Sequence, residues 1–319
     1  MIRSLPLVLI ALISAGAAGA AAGAGQSVTP AVSVDTSKLK LASANALIFD
    51  TQSQRPIYAK GADQVTAIAS VTKLMTAMVV IDAGQSLTEP LTIDIGDLDL
   101  IKASHSRLRL GSTMTRREML QLALMSSENR AASCLARNYP GGTAAFVAAM
   151  NRKAAALNMS HTHFSDATGL SSDNVATARD LARMVETAAG YPLIREFTTT
   201  ASHTVELQPT GHLLDFNNTN SLVRGGQWDI VLSKTGFIRE AGRCLVMLAN
   251  IASRPVVIVL LDSYGRLSRV ADAQRVRHWL ETGEALVLPS ASHSARRSSH
   301  RVHGSFAPSA HAGRSRPRV

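Results

Sequence analysis

Residues 69–80 read Ala-Ser-Val-Thr-Lys-Leu-Met-Thr-Ala-Met-Val-Val. Apolar residues recur at helical spacing from this segment as far as Asp82, which predicts a helix with a buried face. Ser70 and Lys73 are three residues apart, so they lie one turn apart on the same face, and the hydroxyl can reach the amine. A serine hydroxyl becomes a good nucleophile only when a neighbouring base takes its proton. The segment therefore predicts a helix that opens on a serine–lysine pair.

Extended segments flank a helical middle along the chain. Capping boxes at Thr115 and Thr177 predict helices as far as Met125 and Ala189. The predicted strands are 44–50, 55–60, 228–233, 244–252 and 255–262. A last helix is predicted after them, over 267–282. This order predicts an α+β fold, with one antiparallel sheet built from both ends of the chain and an inserted helical lobe. We expect the functional site in the cleft between them.

The two ends of the chain have compositions that do not suit a folded core. Residues 1–25 combine a positive start, a short apolar run and small residues, which predicts a secretory signal or, alternatively, an uncut anchor. Residues 290–319 contain six arginines, four histidines and no acidic residue, while the formal net charge of the chain is +10. We expect this tail to be disordered. Between the ends we predict a linker at 26–41 and one folded domain at 42–289, exported to the periplasm.

The basic tail predicts an electrostatic partner. An anionic wall polymer or a membrane surface fits its charge, and the tail could associate the protein loosely with either. Export argues against nucleic acid as a partner. The alternative is a solvated tail that has no dedicated partner.

The chain has two cysteines, Cys134 and Cys244. Two cysteines do not make a disulfide framework, and spacing alone does not show that they meet. Because both lie within apolar runs, we expect two buried free thiols.

Three short motifs occur in order along the predicted elements: Ser70-Val71-Thr72-Lys73, Ser127-Glu128-Asn129 and Lys234-Thr235-Gly236. The first opens the apolar helix, the second follows the helix that begins near Thr115, and the third ends the predicted strand 228–233. Any one of them arises easily by chance. The ordered set on compatible elements does not, so it marks the candidate site.

The first two motifs supply groups for nucleophilic catalysis. Lys73 can take the proton of Ser70 only if its pKa is lowered, and partial burial together with the ammonium of Lys234 would lower it. Ser127 can relay a proton to a leaving nitrogen. The amide of Asn129 can hold a substrate carbonyl.

The third motif suits substrate binding. Lys234 and Thr235 can bind a carboxylate, and Gly236 lets a substrate backbone lie against the strand edge. The backbone N–H groups of Ser70 and Phe237 would then form an oxyanion hole. The histidines are scattered and no nucleotide-binding glycine loop follows a strand, so we expect no metal and no cofactor.

Two of the motifs have second copies in the chain. Ser37-Lys38-Leu39-Lys40 repeats the serine–lysine spacing, but it lies in the polar linker with no apolar helical run after it. Ser172-Asp173-Asn174 repeats the Ser-x-Asn pattern, although it does not follow the helix from Thr115. We therefore assign the site to the copies at Ser70 and Ser127.

Longer strings surround the motifs: residues 69–80, Leu-Met-Ser-Ser-Glu-Asn-Arg-Ala-Ala at 124–132, Thr-Gly-Leu-Ser at 168–171 and Lys-Thr-Gly-Phe at 234–237. With Asn-Thr-Asn at 218–220 and Ala-Asp-Ala at 271–273, they resemble the small D-alanyl-D-alanine endopeptidases among the low-molecular-mass penicillin-binding proteins. The likeness runs from about residue 42 to residue 289. It covers the whole predicted domain.

The resemblance implies a β-lactamase/transpeptidase-like fold and a serine peptidase that hydrolyses D-alanyl cross-links between peptidoglycan stem peptides. It implies Ser70 as the nucleophile, Lys73 as the base, Ser127 and Asn129 as supporting residues and Lys234 as the cation for a carboxylate. It also implies that β-lactam antibiotics acylate the serine and that the residues 172–174 belong to a loop after Thr-Gly-Leu.

Three other functions remain open at this point. A D-alanyl-D-alanine carboxypeptidase is the nearest alternative, although such relatives usually carry Ser-Gly-Asn and a further C-terminal domain. A β-lactamase needs a carboxylate for deacylation, usually in a Glu-x-x-Leu-Asn string that the chain lacks, and we interpret Asp166 as a loop residue. An inactive wall-binding protein would have at least one broken motif, and none is broken.

Overall fold

A five-stranded antiparallel sheet joins the beginning and the end of the folded chain. The computed structural model describes residues 35–99, 102 and 105–286. Its strands are β1 (Ser43–Asp50), β2 (Arg55–Lys60), β3 (Thr66–Ala67), β4 (Pro90–Thr92), β5 (Thr113–Thr115), β6 (Val175–Ala176), β7 (Ser202–Leu207), β8 (His212–Asn217), β9 (Asp229–Ile238), β10 (Gly242–Ile251) and β11 (Arg254–Ser263). The order across the large sheet is β2-β1-β11-β10-β9. The predicted α+β fold with a sheet from both ends of the chain is confirmed.

Helices occupy the middle of the chain. They are α1 (Lys73–Asp82), α2 (Arg116–Met125), α3 (Asn129–Arg137), α4 (Gly142–Ala156), α5 (Ala178–Ala188), α6 (Pro192–Thr199), α7 (Ser221–Gly225) and α8 (Ser268–Thr282), with 3₁₀ turns at Thr36–Lys38, Ala69–Thr72 and Ile95–Asp97. α1 contacts α2, α3, α4 and α5, and its Leu74, Met75 and Met78 side chains are fully buried. Burying one such side chain contributes about 1.5–3 kcal/mol. The apolar face predicted for residues 69–80 is thus the core of the helical lobe.

The predicted end of the strand 228–233, which leads into the third motif, is wrong. We expected that strand to end at Ser233, but β9 continues to Ile238 because its pairing with β10 extends to the Ile238–Gly242 pair. Lys and Gly are depleted in strands, so the sequence pattern fades where the backbone pairing persists. The third motif therefore lies within β9, which is one of the two edge strands of the sheet.

The two terminal segments predicted as signal (1–25) and basic tail (290–319) lie outside the described residues. Of the predicted linker, residues 35–41 are described, and part of this stretch is packed. Leu39 and Leu41 are buried, and the backbone carbonyl of Asp35 accepts a hydrogen bond from Trp279 at 3.0 Å. No helix within 35–99, 102 and 105–286 combines the length and apolar character needed to cross a bilayer.

The carboxylate of Asp272 on α8 connects that helix to the start of β1. It is fully buried and accepts hydrogen bonds from the backbone N–H groups of Ala42 (3.0 Å) and Ser43 (2.7 Å). It also accepts one from the Ser43 hydroxyl at 2.7 Å. Since a buried donor without a partner costs about 1–3 kcal/mol, this carboxylate holds the two ends of the fold together.

Replacing Asp272 should therefore destabilise the whole domain. We expect Asp272→Ala to lower the free energy of unfolding by about 2–4 kcal/mol, because it leaves several buried donors unpaired. Asp63→Ala is the matched control, since the Asp63 carboxylate is 73% exposed and pairs with Arg179 at the surface. That change should leave the free energy of unfolding nearly unchanged, because water and salt screen an exposed ion pair. Urea denaturation measures both, and similar losses would contradict the assigned role.

Candidate active site

The three motifs meet at the junction of the helical lobe and the edge strand. Ser70 lies in the 3₁₀ turn Ala69–Thr72 that precedes α1, and the ammonium of Lys73 is 2.9 Å from its Oγ. The same ammonium donates to Oδ1 of Asn129 at 2.7 Å. On the facing strand, the ammonium of Lys234 donates to Oγ of Ser127 at 2.9 Å. Five of the predicted site residues are thus connected through two lysines, one from the helical lobe and one from the sheet.

Ser127 occupies a turn between α2 and α3 with a left-handed backbone, φ +61°. Such a conformation costs a residue other than glycine about 1–3 kcal/mol and persists only where the surroundings fix it. Two contacts of the next residue hold this backbone conformation: the N–H of Glu128 donates to Leu122 O, and the Glu128 side chain caps α3. The turn therefore presents the Ser127 hydroxyl to Lys234 in a defined position.

Two glycines allow the chain to pass close to the turn that holds Ser70. A Cβ on Gly169 would lie 2.0 Å from Ala69 O, and Gly169 itself has φ +78°. A Cβ on Gly236 would lie 2.9 Å from Ile68 O and 3.2 Å from the backbone nitrogen of Ser70. Strand β9 and the loop that contains Gly169 thus both pack directly against the turn Ala69–Thr72, which we call the nucleophile turn.

Burial dominates the electrostatics of Lys73. Its side chain is fully buried, which lowers its pKa from 10.5 to about 7, although the carboxylates of Asp166 and Glu128 act in the opposite direction. The pKa of Lys234 is also lowered well below its ordinary value, first by burial and then by the charges of Lys73 and Arg269. We predicted that partial burial and the charge of Lys234 would together lower the pKa of Lys73; burial is the cause that lowers it, and Lys234 is not among the causes.

Four groups of the site were not predicted from the sequence. The carbonyl of Thr168 accepts a hydrogen bond from Lys73 at 2.6 Å and lies 3.4 Å from Ser70 Oγ. Arg269 on α8 donates to Gly236 O at 2.7 Å. Thr235 donates its hydroxyl to that of Thr219 at 2.6 Å, and Asn174 supports the loop described next. In the sequence, Thr168 and Thr219 were noted only as members of the strings 168–171 and 218–220, and Asn174 only as part of the second Ser-x-Asn copy. Nothing in the sequence had pointed to Arg269.

The loop that carries Thr168 is organised by Asp166. One carboxylate oxygen accepts from the N–H groups of Thr168 and Gly169, and the other accepts from the N–H of Ser171 at 2.8 Å. The carboxylate is thus bound by its own loop, as expected for a loop residue. Asn174 is fully buried and accepts from the N–H of Asp166 at 3.1 Å. It also donates to Thr72 Oγ1 at 3.0 Å, so the loop is fixed to the nucleophile turn.

The serines of the rejected copies lie outside this network. Ser37 is in the 3₁₀ turn Thr36–Lys38, where its N–H bonds to the side chain of Asp35. Ser172 is exposed on the loop, and only Asn174 of its motif reaches the interior. The structure thus brings the serines of the copies at Ser70 and Ser127, and not those of the other copies, into contact with the two buried lysines.

Both cysteines are buried free thiols, as predicted. Burial raises the pKa of Cys134 to about 12 and that of Cys244 to about 11. Such thiols stay protonated at neutral pH and are poor nucleophiles.

Comparisons with known proteins agree with this arrangement. Residues 31–265 match the family described as D-alanyl-D-alanine carboxypeptidase, peptidase S11. The chain is 48% identical over 275 residues to a D-alanyl-D-alanine endopeptidase of Pseudomonas aeruginosa, covering 86% of this chain and 89% of the relative. It is 46% identical over 261 residues to one of Escherichia coli K12, covering 82% and 84%.

Solved structures share the fold. The crystal structure of the Streptomyces K15 DD-transpeptidase superimposes with a TM-score of 0.71 at 28% identity, covering 76% of this chain and 98% of that one. The ampicillin-bound penicillin-binding protein D2 of Listeria monocytogenes gives a TM-score of 0.64 at 28% identity, with the same coverage. This chain belongs to the S11 family of serine peptidases, the D-alanyl-D-alanine carboxypeptidase family.

The close approach at Gly169 gives a prediction about the nucleophile turn. We expect Gly169→Ala to lower the melting temperature by several degrees, because a Cβ there meets Ala69 O and the backbone has a positive φ. Gly84→Ala is the matched control, since Gly84 also has a positive φ but open space around its Cβ. Thermal unfolding compares the two variants. A loss at Gly169 no greater than at Gly84 would mean that the close packing is not required.

Proposed function

We propose that this chain is a serine D,D-endopeptidase that hydrolyses D-alanyl cross-links between peptidoglycan stem peptides through an acyl-enzyme on Ser70. The observation that carries this proposal is the 2.9 Å contact between Ser70 Oγ and the fully buried amine of Lys73. Because the pKa of Lys73 is lowered to about 7, a large fraction of the amine is neutral near neutral pH and can accept a proton. The two relatives that are 48% and 46% identical bear the name endopeptidase.

In the first half of the reaction, Lys73 takes the proton of Ser70 while Oγ attacks the carbonyl carbon of the D-alanyl amide. The negative charge on the carbonyl oxygen is stabilised by the backbone N–H groups of Ser70 and Phe237. As the C–N bond breaks, Ser127 donates its proton to the leaving nitrogen and receives in return the proton that Lys73 took, so both groups regain their starting forms. Lys234 holds the Ser127 hydroxyl in place. The products are a free amine and an ester on Ser70.

In the second half, water attacks the ester carbonyl, releases the new carboxylic acid and restores the serine hydroxyl. Asn129 contributes by holding Lys73 through Oδ1 and by offering its amide to the substrate carbonyl. Lys234 and Thr235 bind the carboxylate beside the scissile bond, and Gly236 gives the substrate backbone access to the edge of β9. A strained β-lactam presents an amide of the same kind, so it should acylate Ser70 and be released slowly.

The alternative is a D-alanyl-D-alanine carboxypeptidase. It is favoured by the description of the S11 family, which names that activity. Both reactions place a carboxylate near Lys234 and differ in the size of the leaving group, so the residues of the network alone do not discriminate between them.

We also propose that the protein acts in the periplasm after removal of residues 1–25. In this proposal, residues 290–319 form a basic segment that holds the domain at 42–289 near anionic wall polymers or membrane surfaces.

Deleting 290–319 should weaken binding to anionic vesicles at low salt and leave the melting temperature unchanged. A drop in melting temperature on deletion would contradict a purely electrostatic role.

The site assignment predicts which serines control acylation. A labelled penicillin should attach to Ser70, and Ser127→Ala should slow this labelling by a factor of about 100 or more, since it removes a proton-transfer group. Ser172→Ala is the matched control from the second Ser-x-Asn copy and should label at nearly the unchanged rate. Mass spectrometry of the labelled peptide locates the adduct. Label on Ser37, or similar losses in the two variants, would contradict the assignment.

The proposed reaction predicts the products from peptidoglycan. Purified enzyme should convert cross-linked muropeptide dimers to monomers faster than it releases free D-alanine from pentapeptide monomers. Separation of the fragments by liquid chromatography, with both substrates at the same concentration, measures the two rates. Faster release of D-alanine would favour the carboxypeptidase, and a Ser70→Ala control should show neither reaction.

A further inference from the structure

A large groove lies between the loop 106–112 and the outer half of the β7–β8 hairpin. Its volume is about 1270 Å³, which exceeds the range of roughly 300–1,000 Å³ typical of small-molecule pockets. The size suits a peptide better than a single small ion. The lining includes Arg107, Arg109 and His212 and contains no acidic residue.

The groove is held in shape by contacts between its two walls. Thr113 and Gln208 exchange two backbone hydrogen bonds, of 2.9 and 3.1 Å, and so join the loop to the hairpin. The guanidinium of Arg107 packs over the ring of Phe216 on β8, 4.0 Å from its centroid. The groove is therefore preformed, which lowers the entropic cost of binding a ligand.

The charge of the groove is not neutralised by its own walls. Neither Arg107 nor Arg109 has an ion-pair partner in the described part of the chain, and both are exposed. The carboxylates of Glu206 and Asp215 on the hairpin accept hydrogen bonds from Gln208 and Thr204 and are not part of the lining. The groove thus offers guanidinium groups to a carboxylate ligand.

Both walls lead into the site described above. Leu108 in the loop accepts a hydrogen bond at its carbonyl from Arg130, the residue after Asn129. β8 ends at Asn217, two residues before Thr219, whose hydroxyl meets that of Thr235. From Leu214 to Asn217 is roughly 10 Å of strand, and a tetrapeptide in extended form spans about 13 Å. A peptide that leaves the Thr235 side of the site can therefore reach the groove.

We propose that this groove binds the stem peptide on the leaving-group side of the cross-link, with Arg107 and Arg109 pairing to its carboxylates. The proposal rests on the proposed endopeptidase function, in which that stem is the bulky leaving group. Stem peptides combine alanine methyl groups with carboxylates. The groove matches both, because exposed Leu110 (51%) and Leu213 (62%) flank its arginines. A terminal D-alanine is too small to reach it, so the groove would favour cross-linked over single stems.

The test measures binding without turnover, in the full chain with Ser70→Ala. The first probe is a cross-linked muropeptide dimer with all its carboxylates free. In the second probe, the stem on the leaving-group side keeps the carboxylate next to the scissile bond, and its other carboxylates are converted to carboxamides. Arg109→Gln is added in the groove. Arg152→Gln on α4 is the matched control, since Arg152 is exposed and is not part of the lining. Calorimetric titration gives each Kd, and stoichiometric penicillin labelling of the variants with Ser70 intact checks their folding.

We expect Arg109→Gln to weaken binding of the free-carboxylate dimer about tenfold, whereas Arg152→Gln should change it less than about twofold. The carboxamide dimer should bind the parent protein about tenfold more weakly and should not respond to Arg109→Gln. Equal effects of the two arginine variants, or an Arg109 effect that persists with carboxamides, would overturn the proposal. Turnover of dimers by the unmodified enzyme is scored separately. Dimers that bind as expected but are not cleaved would refute the proposed reaction, while the proposed role of the groove in binding the stem peptide would still hold.

Discussion

The ammonium group of Lys73 is buried among oxygen acceptors, and the rest of the site depends on that burial. It lies 2.9 Å from Ser70 Oγ, 2.7 Å from Asn129 Oδ1 and 2.6 Å from the carbonyl of Thr168. Loss of water lowers its pKa from 10.5 to about 7, a difference of about 5 kcal/mol between the protonation states. The same burial that makes Lys73 a usable base at neutral pH therefore costs the fold stability.

The pH range of that cost follows from the direction of the shift. Between pH 7 and pH 10.5 the unfolded lysine binds a proton that the folded lysine has released, so the contribution of Lys73 to stability becomes more favourable as pH rises through this window. Below pH 7 the full penalty is present. The fold offsets it with buried contacts elsewhere, such as the apolar face of α1 and the hydrogen bonds of Asp272.

Sequence reasoning succeeded where the signal is local. The capping box at Thr115 and Glu118 and the spacing of Ser70 and Lys73 each lie within one helical turn, and the structure contains both. It failed where pairing across the sheet decides the outcome, as in the strand predicted to end at Ser233, which continues to Ile238. Arg269 was missed because it reaches Gly236 only after α8 has packed on the sheet. Thr219 was noted in a string, but its contact with Thr235 depends on the folded chain.

A direct test of the central claim is the titration of the Lys73 side chain by NMR. Protein labelled with ¹³C at lysine Cε, with the Lys73 signal assigned by its absence in Lys73→Arg, would be followed from pH 5 to pH 11. We expect a midpoint near pH 7, because burial of the side chain lowers its pKa to about 7. A midpoint near the ordinary value of 10.5 would show a lysine that is protonated throughout the neutral range, and the proposed base would be wrong.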